Sequence, residues 1–301
     1  MYTKNVTIIG DLQQLMKQYR LGLYEKGMPG SLSLPEKLLE TRGAGFDYLE
    51  LSIDETDEKL ARLDWTNAVM SSLRRAIEDT DVPVLSICLS GHRRFPLGDE
   101  DSARRRRGLE IMEKSCALAA SLGARIIQIA GYDVFYTPSN ERTRRYFAEN
   151  LALSVRLAAS YGVMLAFETM ETPFINTVAK AMRWVQNINS PWLRVYPDIG
   201  NITNAAKREG GDVIADMESG RGSIAALHLK ETRPGVFREV AYGSGHVDFA
   251  AACIAARNLG LGLFVGEFWH KGEQNWRCVL ADNAAFLRRH LDMAFDIRNH
   301  W

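Results

Sequence analysis

The sequence predicts an α/β protein whose strands and helices alternate to form a (β/α)8 barrel. Short apolar runs rich in β-forming residues recur along the 301 residues, and longer stretches of helical period separate them. Eight such runs occur, and this alternation is typical of parallel strands joined by crossover helices. The glycine-rich phosphate loops of nucleotide-binding sheets do not occur in the sequence, so eight units favour a closed barrel.

The predicted strands are short, and helical segments connect them. In chain order they are Leu21–Tyr24, Tyr48–Ile53, Val84–Leu89, Arg125–Ala130, Val163–Met170, Leu193–Pro197, Ile224–Lys230 and Leu263–Trp269. Among the helical segments, the stretch from Asp101 to Leu122 places apolar residues on one face, and Gly123 then supplies a C-cap. Length alone would suggest about two domains, but a single barrel of about 250 residues is common. We therefore expect an N-terminal extension over residues 1–19 and one catalytic barrel over residues 20–301.

Charge and composition exclude several kinds of partner. The 37 basic and 37 acidic residues balance, which argues against a nucleic-acid surface because phosphate contacts need surplus Lys and Arg. No apolar run approaches 18 residues and no signal peptide is evident, so we expect no membrane partner. The 4 cysteines are widely spaced, as is typical of reduced thiols in a cytoplasmic protein.

Four ionisable side chains stand near the ends of the last four predicted strands. They are Glu168, Asp198, His228 and Glu267, and 30, 30 and 39 residues separate them. One βα unit of such a barrel averages about 31 residues, so these positions recur about once per unit. Because the carboxyl ends of barrel strands share one face, we expect the four side chains to meet there.

Three carboxylates and one imidazole at this face predict a site for one divalent metal ion. Oxygen and nitrogen ligands without thiolate suit Mn²⁺, Mg²⁺, Zn²⁺ or Co²⁺, and the sequence leaves this choice open. Such a metal acidifies the C–H bond next to a bound carbonyl and stabilises the enediolate. With Glu168 on one face of that carbon and Glu267 on the other, the expected reaction is inversion, whereas a base on one face favours isomerisation.

Several longer motifs support this interpretation. They are Tyr24-Glu25-Lys26, Ser52–Asp57, Arg62–Trp65, Cys88–Ser90, His92–Gly98, Gly131–Val134, Tyr196–Asn201, His228–Thr232 and Pro234–Phe237. Over about Leu21 to Trp269 the sequence resembles the L-ribulose-5-phosphate 3-epimerases, also called L-xylulose-5-phosphate 3-epimerases, of the xylose-isomerase-like TIM barrels.

The resemblance implies a cofactor, an activity and a cellular setting. It implies a divalent metal on the same four residues, with Glu168 and Glu267 as the acid/base pair. It also implies inversion at C3 of a keto-pentose phosphate, L-ribulose 5-phosphate or L-xylulose 5-phosphate, in the breakdown of L-ascorbate or related pentoses. The implied protein is a cytoplasmic homo-oligomer, namely a dimer.

Five further residues are candidate substrate ligands. Lys230 lies two residues past His228 and therefore points to the same side of its strand. Asn201 could donate its amide to a substrate oxygen or cap the next helix. The other three candidates follow the third strand, where they could bind phosphate or form a solvated loop; they are His92, Arg93 and Arg94.

Departures from the family pattern and rival functions leave the substrate open. Glu171 stands where the family has an aspartate, His246 stands where an apolar residue is usual, and the loop after Glu267 differs. A related metal-dependent ketose isomerase, free-ketose epimerase or dehydratase would use the same metal site. A DNA-repair barrel would need more than the 6 histidines present and a more basic surface. A metal-free structural protein would need none of these residues.

Overall fold

The computed structural model describes residues 18–295, and these residues form a (β/α)8 barrel. All eight strands belong to one parallel sheet in which β6-β5-β4-β3-β2-β1-β8-β7 is the order of neighbours. Single parallel bridges from Val195 to Ile224 and from Asp198 to His228 join β6 to β7. The predicted fold class is confirmed. The strands are β1 Arg20–Tyr24, β2 Tyr48–Ile53, β3 Val84–Leu89, β4 Ile126–Ala130, β5 Met164–Glu168, β6 Leu193–Tyr196, β7 Leu227–Leu229 and β8 Leu263–Gly266.

Helices cover the outside of this ring. Most of these helices have an N-cap side chain, because serine, threonine, asparagine and aspartate oxygens accept hydrogen bonds from the free backbone N–H groups of the first turn. Gly123 adopts a left-handed conformation after the longest helix, as predicted. The helices are α1 Leu34–Gly43, α2 Asp57–Leu60, α3 Asn67–Thr80, α4 Ser102–Leu122, α5 Glu141–Ser160, α6 Val178–Ile188, α7 Ile199–Glu209, α8 Val213–Ser219, α9 Phe249–Asn258 and α10 Trp276–Ala294.

The strands that carry the candidate ligands are shorter than predicted. The seventh was expected over residues 224–230, but regular pairing covers Leu227–Leu229, and Ile224 takes part in a single bridge. The eighth ends at Gly266 rather than at Trp269. At these carboxyl ends the chain leaves the sheet to build the loops of the barrel mouth, so apolar residues continue beyond the strands.

Alternation along each strand divides the core into two layers. Residues of one parity, such as Leu49 and Leu51 on β2, pack outward against the helices. Residues of the other parity fill the barrel interior, where Tyr48, Tyr196 and Val265 form a smaller cluster. Gly22 leaves room for this interior, because a Cβ there would lie 2.4 Å from the ring of Tyr48. The same inward parity carries the polar residues of the mouth.

The ends of the chain are described in part. Residues 1–17 of the predicted extension lie outside the described residues, as do residues 296–301. Tyr19, also part of the predicted extension, belongs to the described residues, and its ring packs against Phe264 and Phe295 at the base of the barrel. The boundary between extension and barrel stays a prediction. Within residues 18–295, no helix combines the length and apolar character needed to cross a membrane.

Candidate active site

The four predicted ligands come together at the carboxyl end of the barrel. One ligand atom from each of Glu168, Asp198, His228 and Glu267 lies within 4.8 Å of the others. All four side chains are buried. Glu168 ends β5, His228 lies within β7, and Glu267 follows β8 directly. Their spacing along the chain therefore matches their common height in the barrel.

Asp198 reaches the cluster as the N-cap of α7. Its Oδ1 accepts a hydrogen bond of 2.9 Å from the amide of Asn201, which leaves Oδ2 directed toward the cluster. Burial raises the pKa of this carboxyl, and the charge of Glu267 adds to the rise although Lys230 opposes it. The Asp198 carboxylate thus caps α7 with Oδ1 and faces the other three candidate ligands with Oδ2.

His228 is held on both sides by carboxylates. Its Nδ1 lies 3.1 Å from Glu168 Oε1 and 3.2 Å from Glu267 Oε2. Its Nε2 faces away from the centre and lies 2.7 Å from Glu50 Oε1. Burial alone would lower the pKa of His228, but the charges of Glu50 and Glu267 raise it well above its ordinary value.

Lys230 forms ion pairs with two of these carboxylates. Its Nζ lies 2.6 Å from Asp198 Oδ2 and 3.4 Å from Glu267 Oε2, and the side chain is buried. Burial would lower its pKa, but Asp198 and Glu267 raise it above the ordinary lysine value. The prediction that Lys230 shares the side of the strand with His228 agrees with this position.

The donor set fits a divalent metal. Asp198 Oδ2 and Glu267 Oε2 are buried and accept no hydrogen bond of good geometry, although Lys230 lies close to both. Buried carboxylate oxygens without donors are costly, and a cation bound by three carboxylates and an imidazole would satisfy them. Oxygen and nitrogen donors of this kind suit Mn²⁺, Mg²⁺, Zn²⁺ or Co²⁺.

Two residues of the site were not predicted from the sequence. Gln128 on β4 donates from Nε2 to Glu168 Oε2 over 2.5 Å, and Glu50 on β2 holds His228. Both are polar residues at inward positions within otherwise apolar strands. That parity was a readable signal, because a buried polar side chain needs a partner inside the barrel.

The cluster opens into a cavity of about 240 Å³. Glu168, Glu267 and Lys230 form its floor, which suits a ligand smaller than the drug-sized molecules bound in larger pockets. A cavity of about 430 Å³ between α1 and α3 contains none of the four candidate ligands. The smaller cavity is therefore the candidate active site.

The predicted phosphate residues after β3 separate in space. Arg93 lines the cavity, but His92 and Arg94 do not. His92 is buried with Nε2 3.0 Å from the carbonyl oxygen of Gly108, and Arg94 forms a surface ion pair of 2.6 Å with Asp57. Residues 91–93 form a 3₁₀ turn, and its three residues per turn direct consecutive side chains about 120° apart.

Asn201 lines the cavity, but it does not cap the next helix, which was one of its two predicted roles. Its Nδ2 donates to the carbonyl oxygen of Thr169 over 2.7 Å, and the N-cap is Asp198 instead. The Oδ1 atom of Asn201 is buried without a hydrogen-bond partner. Asn201 therefore offers an acceptor for a substrate hydroxyl, and the donor role stays a prediction because Nδ2 has a second N–H.

Fold and site together define a class of protein. The protein is a parallel barrel with three carboxylates and one histidine at its carboxyl end. Residues 38–290 match the family described as xylose isomerase-like TIM barrel. The putative L-ribulose-5-phosphate 3-epimerase SgbU of Escherichia coli K12 is 46% identical over 261 residues, which are 84% of this chain and 90% of the relative. The L-ribulose-5-phosphate 3-epimerase UlaE of Shigella boydii serotype 18 is 44% identical over 256 residues, 85% and 89% of the two chains. The chain belongs to the L-ribulose-5-phosphate 3-epimerase family and is an isomerase of the epimerase type.

Solved structures share the fold at lower identity. The 3-keto-D-glucoside 4-epimerase YcjR from E. coli has a TM-score of 0.73 at 20% identity, covering 90% of this chain and 99% of its own. A structure of L-ribulose 3-epimerase has a TM-score of 0.72 at 21% identity, covering 94% and 99%. At such identities the likeness shows the barrel architecture alone.

Proposed function

We propose that the enzyme inverts C3 of a keto-pentose phosphate and thereby interconverts L-ribulose 5-phosphate and L-xylulose 5-phosphate. The names of the relatives supply the substrate. The observation that carries the mechanism is the pair Glu168 and Glu267. Both line the cavity, and they lie 3.1 and 3.2 Å from the same His228 Nδ1 while arising from different strands.

Glu168, Asp198, His228 and Glu267 would hold one divalent metal ion, of which Mn²⁺, Zn²⁺, Mg²⁺ and Co²⁺ all fit the donors. When bound, the metal polarises the substrate carbonyl and stabilises the negative charge that develops on its oxygen. With a +2 ion, the three ligand carboxylates would leave about one net negative charge, which the Lys230 ammonium, 2.6 Å from Asp198 Oδ2, would balance.

The glutamates then divide the proton transfer. One carboxylate removes the C3 proton from one face of the substrate, and the other returns a proton to the opposite face. Gln128 holds one oxygen of Glu168 and so fixes the direction of the other. General acid–base catalysis by positioned groups typically contributes about 10²–10⁴-fold in rate.

Other cavity residues would orient the sugar. Asn201 would accept a hydrogen bond from a hydroxyl through its free Oδ1, and Lys230 would donate to an oxygen near the reacting carbon. Arg93 brings positive charge to the mouth, whereas the charge of Lys26 is offset by Asp54, whose Oδ2 lies 2.5 Å from Lys26 Nζ. This positive charge favours a phosphorylated substrate over a neutral ketose.

Exchange in heavy water tests the proposal. The enzyme with Mn²⁺ and L-ribulose 5-phosphate in D₂O should incorporate deuterium at C3 and form L-xylulose 5-phosphate, both followed by NMR. Exchange at C1, or loss of water, would instead support the related isomerase or dehydratase. Absence of both C3 exchange and the xylulose product would refute the epimerase.

The cellular setting follows as part of the same proposal. A C3 epimerase of this substrate would act in the breakdown of L-ascorbate or related pentoses, in the cytoplasm and as a homodimer. Its partner would be a small sugar phosphate rather than nucleic acid or membrane. Light scattering of the purified enzyme tests the dimer.

A further inference from the structure

An ion pair crosses the mouth of the cavity. Arg238 lies on the loop after β7, and Glu171 lies on the loop after β5. An oxygen of Glu171 lies 2.8 Å from Arg238 Nη2, and both residues line the cavity that contains Glu168 and Glu267. Their side chains are 41% and 23% exposed, so the pair is in contact with solvent and can exchange partners.

A second guanidinium in this cavity, that of Arg93, interacts with the charges of Glu171 and Glu168 without forming an ion pair with either. Among the ion pairs found within residues 18–295, none includes Arg93. The guanidinium lies 4.8 Å from the centre of the Phe135 ring, and Nε is buried without a hydrogen-bond partner. A buried donor of a charged group is costly when it is unpaired, so this position suits an anion.

Tyr132 adds a second buried donor without a hydrogen-bond partner, close to Arg93. Its side chain is 3% exposed and its hydroxyl has no hydrogen-bond partner. Its ring lies 5.1 Å from Phe135, the ring beneath Arg93, and it packs with Ala130 and Met170, which line the cavity. Two guanidinium groups, those of Arg93 and Arg238, thus line the same cavity as Glu171, and the buried Tyr132 hydroxyl lies close enough to Arg93 for their charges to interact.

We propose that this end binds the substrate phosphate and that Glu171 is a specificity residue, which pairs with Arg238 until the phosphate displaces it. The inference rests on the proposed function, because it assumes a phosphorylated ketose. A phosphate carries more charge and more acceptor oxygens than a carboxylate, and it can engage Arg93 and Arg238 together. A neutral ketose has no group that replaces Glu171 on Arg238.

Binding of inorganic phosphate to the intact enzyme, measured by calorimetry, tests the subsite directly. Arg238→Gln should raise the Kd for phosphate by at least about tenfold, because a charge-assisted hydrogen bond is lost. Glu171→Gln should lower that Kd about threefold, since a partly exposed ion pair competes only weakly. Arg233→Gln is the matched control, because Arg233 bonds Ser244 outside the cavity and its loss should leave the Kd unchanged.

Turnover supplies a second readout. In Arg238→Gln the KM for L-ribulose 5-phosphate should rise, and the preference for this substrate over unphosphorylated L-ribulose should fall. Glu171→Gln introduced into Arg238→Gln should have much less effect on phosphate binding than in the wild type, because the guanidinium for which Glu171 and phosphate compete is already absent. An additive effect of the two substitutions, or weaker phosphate binding in Glu171→Gln alone, would overturn the proposal.

The two proposals fail in different ways. Phosphate binding that depends on Arg238 and Glu171, in an enzyme that exchanges no C3 proton of either sugar, would refute the epimerase and support the subsite. C3 epimerisation combined with phosphate binding that neither substitution alters would refute the subsite and leave the epimerase standing. Melting curves of each variant show that the compared proteins are folded.

Discussion

Glu50 and His228 are joined by a buried hydrogen bond of 2.7 Å between Oε1 and Nε2. Glu50 lies on β2, and its Oε2 accepts hydrogen bonds of 2.7 Å from Ser86 and 3.0 Å from Tyr196. A carboxylate that binds the far nitrogen of an imidazole fixes the ring and its tautomer, and it makes the near nitrogen a better ligand. The orientation of His228 Nδ1 is therefore set from β2, outside the cavity.

Replacement of Glu50 by glutamine should weaken the metal centre. The amide keeps the size of the side chain but removes the charge that favours a donating Nε2, so the affinity for Mn²⁺ should fall on the order of 10–100-fold. Calorimetric titration of the chelator-treated protein measures this change. Glu55→Gln serves as control, because Glu55 accepts a hydrogen bond from Tyr136 at the surface and not from His228. Unaltered Mn²⁺ affinity in a folded Glu50→Gln protein would contradict the role given to Glu50.

The strand-end ligands were predictable because two periodicities coincide. Units of about 31 residues bring Glu168, Asp198 and His228 to one height, and the period of two along a strand turns them inward. Glu50 and Gln128 have the same inward parity, but they lie within strands, where a single polar residue is easily assigned to packing. If each inward polar residue is expected to have a polar partner inside the barrel, both Glu50 and Gln128 are predicted as residues of the site.

The mouth of the cavity was less predictable from the sequence. Loops have no fixed period, so the contact between Glu171 and Arg238, 67 residues apart, follows from three-dimensional closure alone. The run His92, Arg93 and Arg94 illustrates the same limit, since one turn directs these neighbours toward the core, the cavity and the solvent. The residue types suggested that all three side chains could bind an anion, but the backbone geometry directs only Arg93 into the cavity.

Substitution of Glu267 by glutamine should separate metal binding from proton transfer. The amide oxygen can still coordinate, so Mn²⁺ binding should weaken but persist, whereas C3 exchange of the epimer whose proton faces Glu267, and with it epimerisation, should be lost because an amide cannot accept the proton. Deuterium incorporation and Mn²⁺ titration on the same sample give both readings. Glu273→Gln is a control on the following loop, where Glu273 accepts a hydrogen bond from the amide of Lys271. Full activity of Glu267→Gln would exclude the two-carboxylate mechanism.

Lys230→Met tests the ion pairs that Lys230 forms with Asp198 and Glu267. Removal of one partner from a buried ion pair leaves uncompensated charge, so the free energy of unfolding without metal should fall by about 3 kcal/mol. Added Mn²⁺ should then raise Tm more than in the wild type, because the carboxylates no longer engage an ammonium group. Melting curves with chelator and with Mn²⁺ provide the comparison.

The control for Lys230 is Lys59→Met. Lys59 lies 2.8 Å from the buried Glu25, away from the candidate metal centre. Its removal should also destabilise the protein, but the rise in Tm on adding Mn²⁺ should equal that of the wild type. An equal Mn²⁺ response in both variants would show that Lys230 is not coupled to the metal centre.

The buried ring of His92 predicts a dependence of stability on pH. Burial lowers the pKa of His92 from 6.5 to about 4, and the hydrogen bond to Gly108 only partly offsets this. As the pH falls below 6.5, the unfolded chain binds a proton that the folded protein rejects, so stability decreases until about pH 4 and changes no further below it. The decrease attributable to His92 should total about 3 kcal/mol.

In His92→Gln, whose amide can still donate to the Gly108 carbonyl, this component should vanish, while His290→Gln at a half-buried position of α10 should retain it. Urea unfolding of the three proteins between pH 7.5 and 4 makes the comparison, and identical profiles for wild type and His92→Gln would refute the assignment.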